Sequence, residues 1–270
     1  MCLAVLLQLG LFASSTLSQM AFNRKQYAAS QQQLKNQIGS TGVDVTATNQ
    51  SVEPGNWNGY REFYVSQIVR ETKASKSIFM KPVDGKAIAD FKPGQHLTFK
   101  LSIPGESRPL VRCYSLSSGP GKDYYRITVK AISAPADNPG VPAGKASGFL
   151  VNNLIAGDRL DVKAPSGHFY LDDTDTPVVL LAGGIGITPM ISMIESVIQQ
   201  DSGRTVLLVY GVHNSEEQAF AHYIAEVVNK HQNIHVINCF SRPSPNDVIC
   251  LLYTSPSPRD QRGSRMPSSA

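Results

Sequence analysis

A short stretch near the middle of the chain carries residue types that suit a flat, phosphate-bearing ligand. It reads Val111-Arg112-Cys113-Tyr114-Ser115-Leu116-Ser117-Ser118. On a β-strand, Arg112 and Tyr114 would project from the same face, because side chains alternate along a strand. An arginine guanidinium gives phosphate two charge-assisted hydrogen bonds, and a tyrosine ring can cover a planar ring system. Any exposed strand can carry the same residues, so the segment indicates one wall of a nucleotide site only in combination with other motifs.

A second candidate lies in the small-residue stretch Gly144-Lys145-Ala146-Ser147-Gly148. The apolar residues Phe149, Leu150 and Leu154 follow it, which predicts a turn that opens a short helix. The first N–H groups of a helix have no partner within the helix and can receive a pyrophosphate. A plain turn into a helix has the same pattern, so the stretch indicates a phosphate site only in combination with other motifs.

A glycine-rich turn is the third candidate. The continuous apolar run of residues 178–182 leads directly into Gly183-Gly184-Ile185-Gly186-Ile187-Thr188-Pro189. A strand, a glycine turn and a helix open a nucleotide-binding unit, since glycines let the backbone approach phosphates at the helix N-terminus. Pro189 lies near the first helical position, where proline is favoured. The spacing is not G-x-G-x-x-G, so the turn alone is a weak signal.

The elements that must position these residues fall into two parts. In residues 60–172, short β-prone runs alternate with turns such as Pro93-Gly94. The predicted strands cover residues 63–69, 77–80, 96–101, 110–117 and 125–130. Regular spacing of this kind predicts an antiparallel β-barrel.

In residues 173–249 strands and helices alternate. The predicted strands cover residues 178–182, 205–211 and 234–239, and the predicted helices cover residues 190–199 and 216–229. This order predicts an α/β domain with a parallel, Rossmann-like sheet. Three strands are fewer than an ordinary doubly wound sheet has, so we expect this domain to be incomplete.

Composition narrows the class of protein. The chain has 270 residues, a formal net charge of +4 and a pI near 8.8. Its Lys and Arg residues are scattered, which argues against nucleic-acid binding. The four cysteines lie far apart, and His231 and His235 fit a strand over residues 233–237 better than one face of a helix. No metal site is therefore predicted.

The N-terminal segment, residues 1–19, holds an apolar run that is too short for an ordinary membrane span and lacks a basic region before it. A weak signal, an interfacial anchor through residues 2–16 and a cropped membrane helix all stay open. Residues 20–59 have the composition of a polar linker. The basic residues Arg24, Lys25 and Lys35 favour a cytoplasmic face by the positive-inside rule.

The C-terminal segment, residues 250–270, is rich in Pro and Ser and has no apolar period, which predicts a disordered tail. Its first six residues, Cys250-Leu251-Leu252-Tyr253-Thr254-Ser255, resemble one translated frame of a transposase sequencing adapter. We therefore expect the native sequence to end near Ile249 and the tail to be non-native.

Taken in order, the motifs resemble those of the ferredoxin–NADP reductase superfamily, in particular the reductase module of flavohaemoglobins and oxygenase reductases, over about residues 60–249. The resemblance rests on this series of motifs: Pro93-Gly94-Gln95, Arg112-x-Tyr114-Ser115, Gly144-x-x-Ser147, Pro165-x-Gly167-x-Phe169, Gly183-Gly184-x-Gly186-x-Thr188-Pro189 and Tyr210-Gly211. It implies an FAD-binding barrel followed by an NAD(P)-binding domain.

By this resemblance Arg112 would bind the FAD phosphates, Tyr114 would lie against the isoalloxazine, and Ser115 would sit near the flavin N5 that receives hydride. Thr188 would lie near the nicotinamide, so Ser115 and Thr188 are the expected catalytic residues. The other cofactor-binding residues expected are Gln95, His96, Cys113, Gly144, Lys145, Ala146, Ser147, Gly183, Gly184, Gly186 and Pro189.

The implied activity is hydride transfer from NADH or NADPH to FAD, followed by single-electron transfer to an iron–sulfur or haem protein or domain. Glu216 and Glu217 would repel a 2′-phosphate and favour NADH, whereas Ser241-Arg242 could contact one. The family's Cys-Gly-Pro segment is missing, which leaves open a flavin-binding electron-transfer subunit without direct NAD(P)H reactivity. The expected location is the cytoplasm, or the cytoplasmic face of the inner membrane.

Overall fold

The computed structural model describes residues 55–134, 138, 140–245 and 247. The expectations for the apolar N-terminal segment, for most of the linker and for the tail from residue 250 lie outside these residues.

The first half of the described chain is an antiparallel β-barrel, as predicted. Its strands are β1 (Arg61–Arg70), β2 (Ser75–Pro82), β3 (His96–Leu101), β4 (Leu110–Ser115), β5 (Tyr125–Lys130) and β6 (Arg159–Ser166). They form one sheet in the order β4-β3-β6-β1-β2-β5. A single bridge between Leu116 and Ile127 brings the two ends of this sheet together. The barrel is therefore closed at one end of β4 and open along the rest of it.

Alternating side chains build the barrel core. Leu97, Phe99 and Leu101 of β3 are buried, and so are Tyr125 and Ile127 of β5. Period-two burial is what a sheet with one face on a core requires. The Tyr125 hydroxyl donates to the Ala89 carbonyl oxygen at 2.6 Å, so the polar end of this buried ring is satisfied. A helix, α1 (Lys145–Asn152), completes this half, with Leu150 and Val151 in the same core.

The second half is an α/β unit with a parallel sheet. Its elements are β7 (Val178–Gly183), α2 (Ile187–Gln200), β8 (Val206–Val212), α3 (Ala221–Lys230) and β9 (Ile234–Phe240). The described strands lie in the order β7-β8-β9, and both pairings are parallel. This confirms the predicted class of the second half.

Helix α2 is buried on all sides. Every residue from Ile187 to Val197 is buried, although a helix on a sheet normally exposes one face. The reason is that α2 lies between the sheet and the barrel. A Cβ atom on Gly94 of the barrel would come within 2.6 Å of the Met193 Cε atom, and one on Gly119 within 3.0 Å of the Glu195 Cβ atom. The barrel and the α/β half thus share a tight interface.

Two predicted helix starts were wrong. Helix α2 begins at Ile187 rather than residue 190, so Pro189 lies inside its first turn, where a missing N–H costs nothing. Helix α3 begins at Ala221 rather than residue 216, because Ser215–Glu217 form a separate 3₁₀ turn and Phe220 adopts a left-handed φ of 62°. His231 is the C-cap residue that follows α3 and His235 lies in β9, so the two histidines do not share a helix face.

Candidate functional site

A cavity of about 1260 Å³ opens where the gap in the barrel meets the α/β half. Pockets for a single small ligand typically enclose roughly 300–1,000 Å³, so this one has room for more than one such group. Its lining from the barrel includes Arg112–Ser115, Thr128–Ala134 and Gly144–Ser147. Its lining from the α/β half includes Ile185, Thr188, His213, Asn214, Glu216, Glu217 and Arg242. Two of the three motifs predicted from sequence thus meet residues of the third in one cavity.

The edge of β4 forms the first wall. This strand pairs with β3 along its length, with Arg112 opposite Phe99 and Tyr114 opposite Leu97. Its other edge faces β5 and is joined to it only by the bridge beyond Ser115. Side chains and backbone groups of both strands therefore line the cavity.

Arg112 carries the positive charge of this wall. Its Nη1 atom donates to the Val111 carbonyl oxygen at 2.7 Å. Within the described part of the chain no carboxylate forms a salt bridge with Arg112, whereas Lys145 of the same cavity is paired with Glu106 at 2.6 Å. A guanidinium with free donors beside a cavity suits an anionic ligand such as a phosphate.

Tyr114 supplies a flat surface, and contact with the Phe99 ring fixes its orientation. Its ring packs edge-on against the Phe99 ring, with 5.7 Å between centroids and 71° between planes. Burial raises the pKa of the Tyr114 hydroxyl above its ordinary value, and the nearby Arg112 opposes that shift only in part. The phenol therefore stays neutral at physiological pH and presents an uncharged face.

The start of α1 forms a corner of the cavity. Gly144 is its N-cap residue and provides no side-chain cap, so the first N–H groups of the helix remain available to an anion. A Cβ atom on Gly144 would come within 2.6 Å of Ser147 Oγ and 3.0 Å of Ile132 Cβ, which explains the need for glycine. The Ser147 hydroxyl donates to the Gly144 carbonyl oxygen at 3.2 Å and accepts from the Ile132 N–H at 3.3 Å. Ser147 thus holds the corner in shape.

Ser115 and Thr188 are the two hydroxyl groups expected at the reacting centre. They come from different halves of the molecule and line the same cavity. Ser115 is half-buried and Thr188 is buried. Neither hydroxyl has a hydrogen-bond partner among the residues that the structure describes. Both are free to bond to a ligand.

Several predicted site residues lie next to the cavity rather than in its lining. Gly183, Gly184, Gly186 and Pro189 are in this group, and the glycine turn reaches the cavity through Ile185 and Thr188. A Cβ atom on any of the three glycines would meet no atom within 4 Å, so space remains beside this backbone.

Gln95 and His96 also lie outside the lining. The Gln95 amide donates to the Gly167 carbonyl oxygen at 3.2 Å and accepts from the Lys92 N–H at 2.9 Å. The His96 ring lies where a Cβ atom on Gly167 would come within 2.7 Å of its Nδ1 atom. Both residues brace the loop after β6, and a contact with the flavin stays a prediction.

Two ion pairs at the cavity rim were not expected. Lys73 lies 2.9 Å from Glu216, and Lys130 lies 2.6 Å from Glu217, so each lysine of the barrel meets a carboxylate of the α/β half. The hydrogen bond from Lys130 holds the pKa of Glu217 below its ordinary value. The sequence showed the two glutamates but had no signal for their partners, which lie 143 and 87 positions away. The pairing neutralises the charge that was expected to repel a 2′-phosphate.

Comparison with protein families assigns both halves. Residues 65–170 match the family described as "Oxidoreductase FAD-binding domain", and residues 180–249 match "Oxidoreductase NAD-binding domain". The first match covers most of the barrel, including β4 and α1. The second begins within β7 and includes the glycine turn.

Individual relatives agree with these matches. The flavohemoprotein of Halalkalibacterium halodurans is 38% identical over 198 residues, which are 73% of this chain and 47% of that protein. The flavohemoprotein of Bacillus anthracis is 40% identical over 195 residues, 72% of this chain and 48% of that protein. The chain thus spans about half the length of these relatives.

A solved structure extends the likeness to the fold. The flavohem-like FAD/NAD binding domain of nitric oxide dioxygenase from Vibrio cholerae O1 biovar El Tor superposes with a TM-score of 0.66 at 29% identity. The superposition covers 74% of this chain and 84% of that one. Both the barrel and the α/β half therefore have a counterpart in a known FAD- and NAD-binding module.

Proposed function

We propose that this chain is a reductase module of the ferredoxin–NADP reductase superfamily, because its two halves match an oxidoreductase FAD-binding domain and an oxidoreductase NAD-binding domain. It takes hydride from NADH or NADPH onto FAD and passes electrons singly to a haem or iron–sulfur acceptor. The observation that carries this proposal is that Ser115 and Thr188, which belong to different halves, line one cavity large enough for two ligands.

The residues of the barrel wall fit a flavin dinucleotide. The Arg112 guanidinium, which forms no ion pair among the described residues, and the uncapped start of α1 are two anion-binding groups in the same cavity, as a pyrophosphate requires. Tyr114 offers a neutral, braced ring beside them, and the close backbone approach at Gly144 keeps the corner narrow. Bound FAD would supply the acceptance of hydride and the release of single electrons.

The protein's own contribution is to bind and orient the two reacting rings and to exclude water from them. Ser115 and Thr188 would hold the two reacting rings from opposite sides through their free hydroxyl groups. Burial of Thr188 and of α2 keeps bulk water away from that side. Holding two reactants in one geometry converts a bimolecular step into an effectively unimolecular one.

We propose NADH as the preferred donor. Glu216 and Glu217 remain at the cavity rim, and a 2′-phosphate would compete with them for Lys73 and Lys130. Arg242 also lines the cavity and is the residue that would favour NADPH. The preference is measured as the ratio of kcat/KM for the two coenzymes.

The relatives indicate the kind of electron acceptor. A haem acceptor is favoured because the relatives that match are flavohemoproteins.

The coenzyme indicates the location. A cytoplasmic location is favoured because NAD(P)H is available there. Among the described residues, no helix has the length and apolar character needed to cross a membrane. Attachment to a membrane surface through residues 2–16 is a separate proposal, tested by vesicle cosedimentation of the full chain against a chain lacking residues 1–19.

The central test is anaerobic stopped-flow absorbance of the FAD-loaded protein mixed with NADH and, separately, with NADPH. We expect rapid bleaching of the flavin band, faster with NADH. A bound flavin that neither coenzyme bleaches would overturn the reductase and favour the electron-transfer subunit instead.

Arg112→Met tests whether the flavin wall, which is the side of the cavity formed by Arg112–Ser115, binds FAD. Loss of charge-assisted hydrogen bonds worth about 1.5–3 kcal/mol predicts a roughly 10- to 100-fold weaker Kd for FAD. Arg159→Met is the matched control, because Arg159 is an exposed barrel arginine paired with Glu62 outside this cavity. Fluorescence titration of the apoprotein with FAD measures both, and equal losses in the two variants would contradict the assignment of Arg112.

A further inference from the structure

A buried carboxylate of the α/β half inserts into the barrel. Glu195 lies on α2, and its Oε1 atom accepts from Arg126 Nη2 at 2.7 Å. Its Oε2 atom accepts from Lys122 Nζ and from the Gly119 N–H, each at 2.9 Å. All three donors belong to the barrel, so one side chain makes three polar contacts across the interface.

These contacts are shielded from water. The side chain of Glu195 is 8% exposed, and that of Arg126 is 12% exposed. A buried charge is costly unless it is paired and fully hydrogen-bonded. The geometry is therefore restrictive: a shift of α2 along the barrel would leave Glu195 or Arg126 buried without its partner.

Arg126 connects this ion pair to the flavin wall. Its Nε atom donates to the Ser117 carbonyl oxygen at 3.0 Å, and its Nη2 atom contacts the same oxygen. Ser117 lies two residues after Ser115. The planar guanidinium thus bridges the segment that carries Ser115 and the Glu195 carboxylate, with its Nη2 atom in contact with both.

Glu195 connects the same ion pair to the nicotinamide wall, which is the side of the cavity that contains Ile185 and Thr188. It lies seven residues after Thr188 on α2, which is about 10 Å along a rigid helix. A continuous path therefore runs from Ser115 along the backbone to Ser117, through the contacts of Arg126 with Ser117 and Glu195, and back along α2 to Thr188. The lysine partner, Lys122, is 28% exposed, and its ion pair with Glu195 adds charge to the group without reaching Ser117.

We infer that Arg126 and Glu195 are positioning residues that set the distance between the flavin wall at Ser115 and the nicotinamide wall at Thr188. The inference rests on the proposed reductase function for its kinetic consequence, but its structural consequence is independent of that function. Neither residue lines the cavity, so each acts through the residues that do.

The structural consequence is tested by hydrogen exchange with mass spectrometry on the FAD-loaded full chain. In Arg126→Met we expect faster amide exchange in residues 187–200, although the substitution is in the other half of the molecule. Lys81→Met is the matched control, because the ion pair of Lys81, with Asp123, lies within the barrel. Faster exchange confined to the barrel in Arg126→Met would overturn the inference.

The kinetic consequence is tested on the same variants by stopped-flow reduction with NADH. A misplacement of about 1 Å can cost on the order of 100-fold in rate, so the limiting rate should fall at least tenfold in Arg126→Met. The apparent Kd for NADH and the flavin content should stay close to those of the unmodified chain, because the binding groups are intact. Arg126→Lys, which keeps the charge but loses the fork, should restore only part of the rate.

A variant that avoids a lone buried charge guards against misfolding. Arg126→Met combined with Glu195→Leu replaces the pair by apolar groups, which proteins often tolerate. This double variant should fold and bind FAD, yet reduce its flavin slowly. A limiting rate within twofold of the unmodified chain would overturn the inference. If NADH and NADPH bleach no flavin even in the unmodified chain, the proposed function fails, and the exchange experiment still decides the positioning role.

Discussion

In the described part of the chain, two groups of ion pairs join the barrel to the α/β half, and they differ most in their exposure to water. The Glu195 group behind the cavity is nearly enclosed, with side chains 8% and 12% exposed in its principal pair. At the rim, the side chains of Lys73 and Glu216 are 87% and 65% exposed. The chemistry is the same, yet the consequences differ. A buried pair restricts geometry because its separation is costly, whereas an exposed pair exchanges readily with water and with a charged ligand.

The largest effect is expected from breaking the buried group on one side only. Glu195→Leu leaves Arg126 buried without its counter-charge, which costs about 3–5 kcal/mol of unfolding free energy. Glu226→Leu is the control, because Glu226 forms an exposed pair with Lys230 on α3 and its loss should change the unfolding free energy far less. Urea unfolding followed by circular dichroism measures both. Similar losses would show that burial does not distinguish the two groups.

Acid should weaken the buried group in a defined pH range. Burial raises the pKa of Glu195, but Arg126, the Gly119 N–H and Lys122 together outweigh burial and hold it below the ordinary value of 4.5. A carboxyl whose pKa is lowered on folding stabilises the protein above its unfolded pKa, and this contribution is lost as pH falls through the folded pKa. The urea midpoint should therefore fall below about pH 4.5 more steeply in the unmodified chain than in Glu195→Gln. If the urea midpoints of the two proteins fell in parallel with pH, Glu195 would not be the source of the acid sensitivity.

The smallest effect on stability is expected at the rim. Lys130→Met should change the unfolding free energy by less than about 1 kcal/mol, because the Lys130–Glu217 pair is partly exposed. Its effect on coenzyme choice should be clearer, since Glu217 would then face the cavity without a counter-charge. We expect kcat/KM for NADPH to fall roughly fivefold relative to that for NADH, equivalent to about 1 kcal/mol. Lys230→Met serves as the control, and an unchanged ratio would exclude Glu217 from coenzyme selection.

Local patterns predicted much of the fold. The strands at residues 96–101 and 125–130 have the predicted bounds, because alternating apolar side chains and flanking turns define them within a few residues. The start of α3 was wrong, since the helical pattern from Glu216 was overridden by a tertiary contact. Glu71 of the barrel accepts the Phe220 N–H at 3.1 Å, at the residue whose φ is 62°.

The candidate site was predictable where one short segment carries it and not where two distant segments meet. Arg112, Tyr114 and Ser115 are close in sequence, and the structure brings them to the cavity together. The Arg126–Glu195 pair spans 69 positions, and each residue alone resembles an ordinary surface charge. Such a pair restricts the geometry because it is buried, and it becomes buried only when the two halves pack against each other.

The opening between β4 and β5 also matters before any flavin is bound. Unpaired strand edges are templates for association with other chains. Short strands and charged side chains are the usual protection, and β4 has six residues with Arg112 at its centre, while β5 ends in Lys130. We therefore expect the cations that serve the cavity to act also as gatekeepers against aggregation of the newly synthesised apoprotein. An uncharged residue at position 112 would then lower soluble yield in flavin-starved cells, a cost that assays of the purified holoprotein would not reveal.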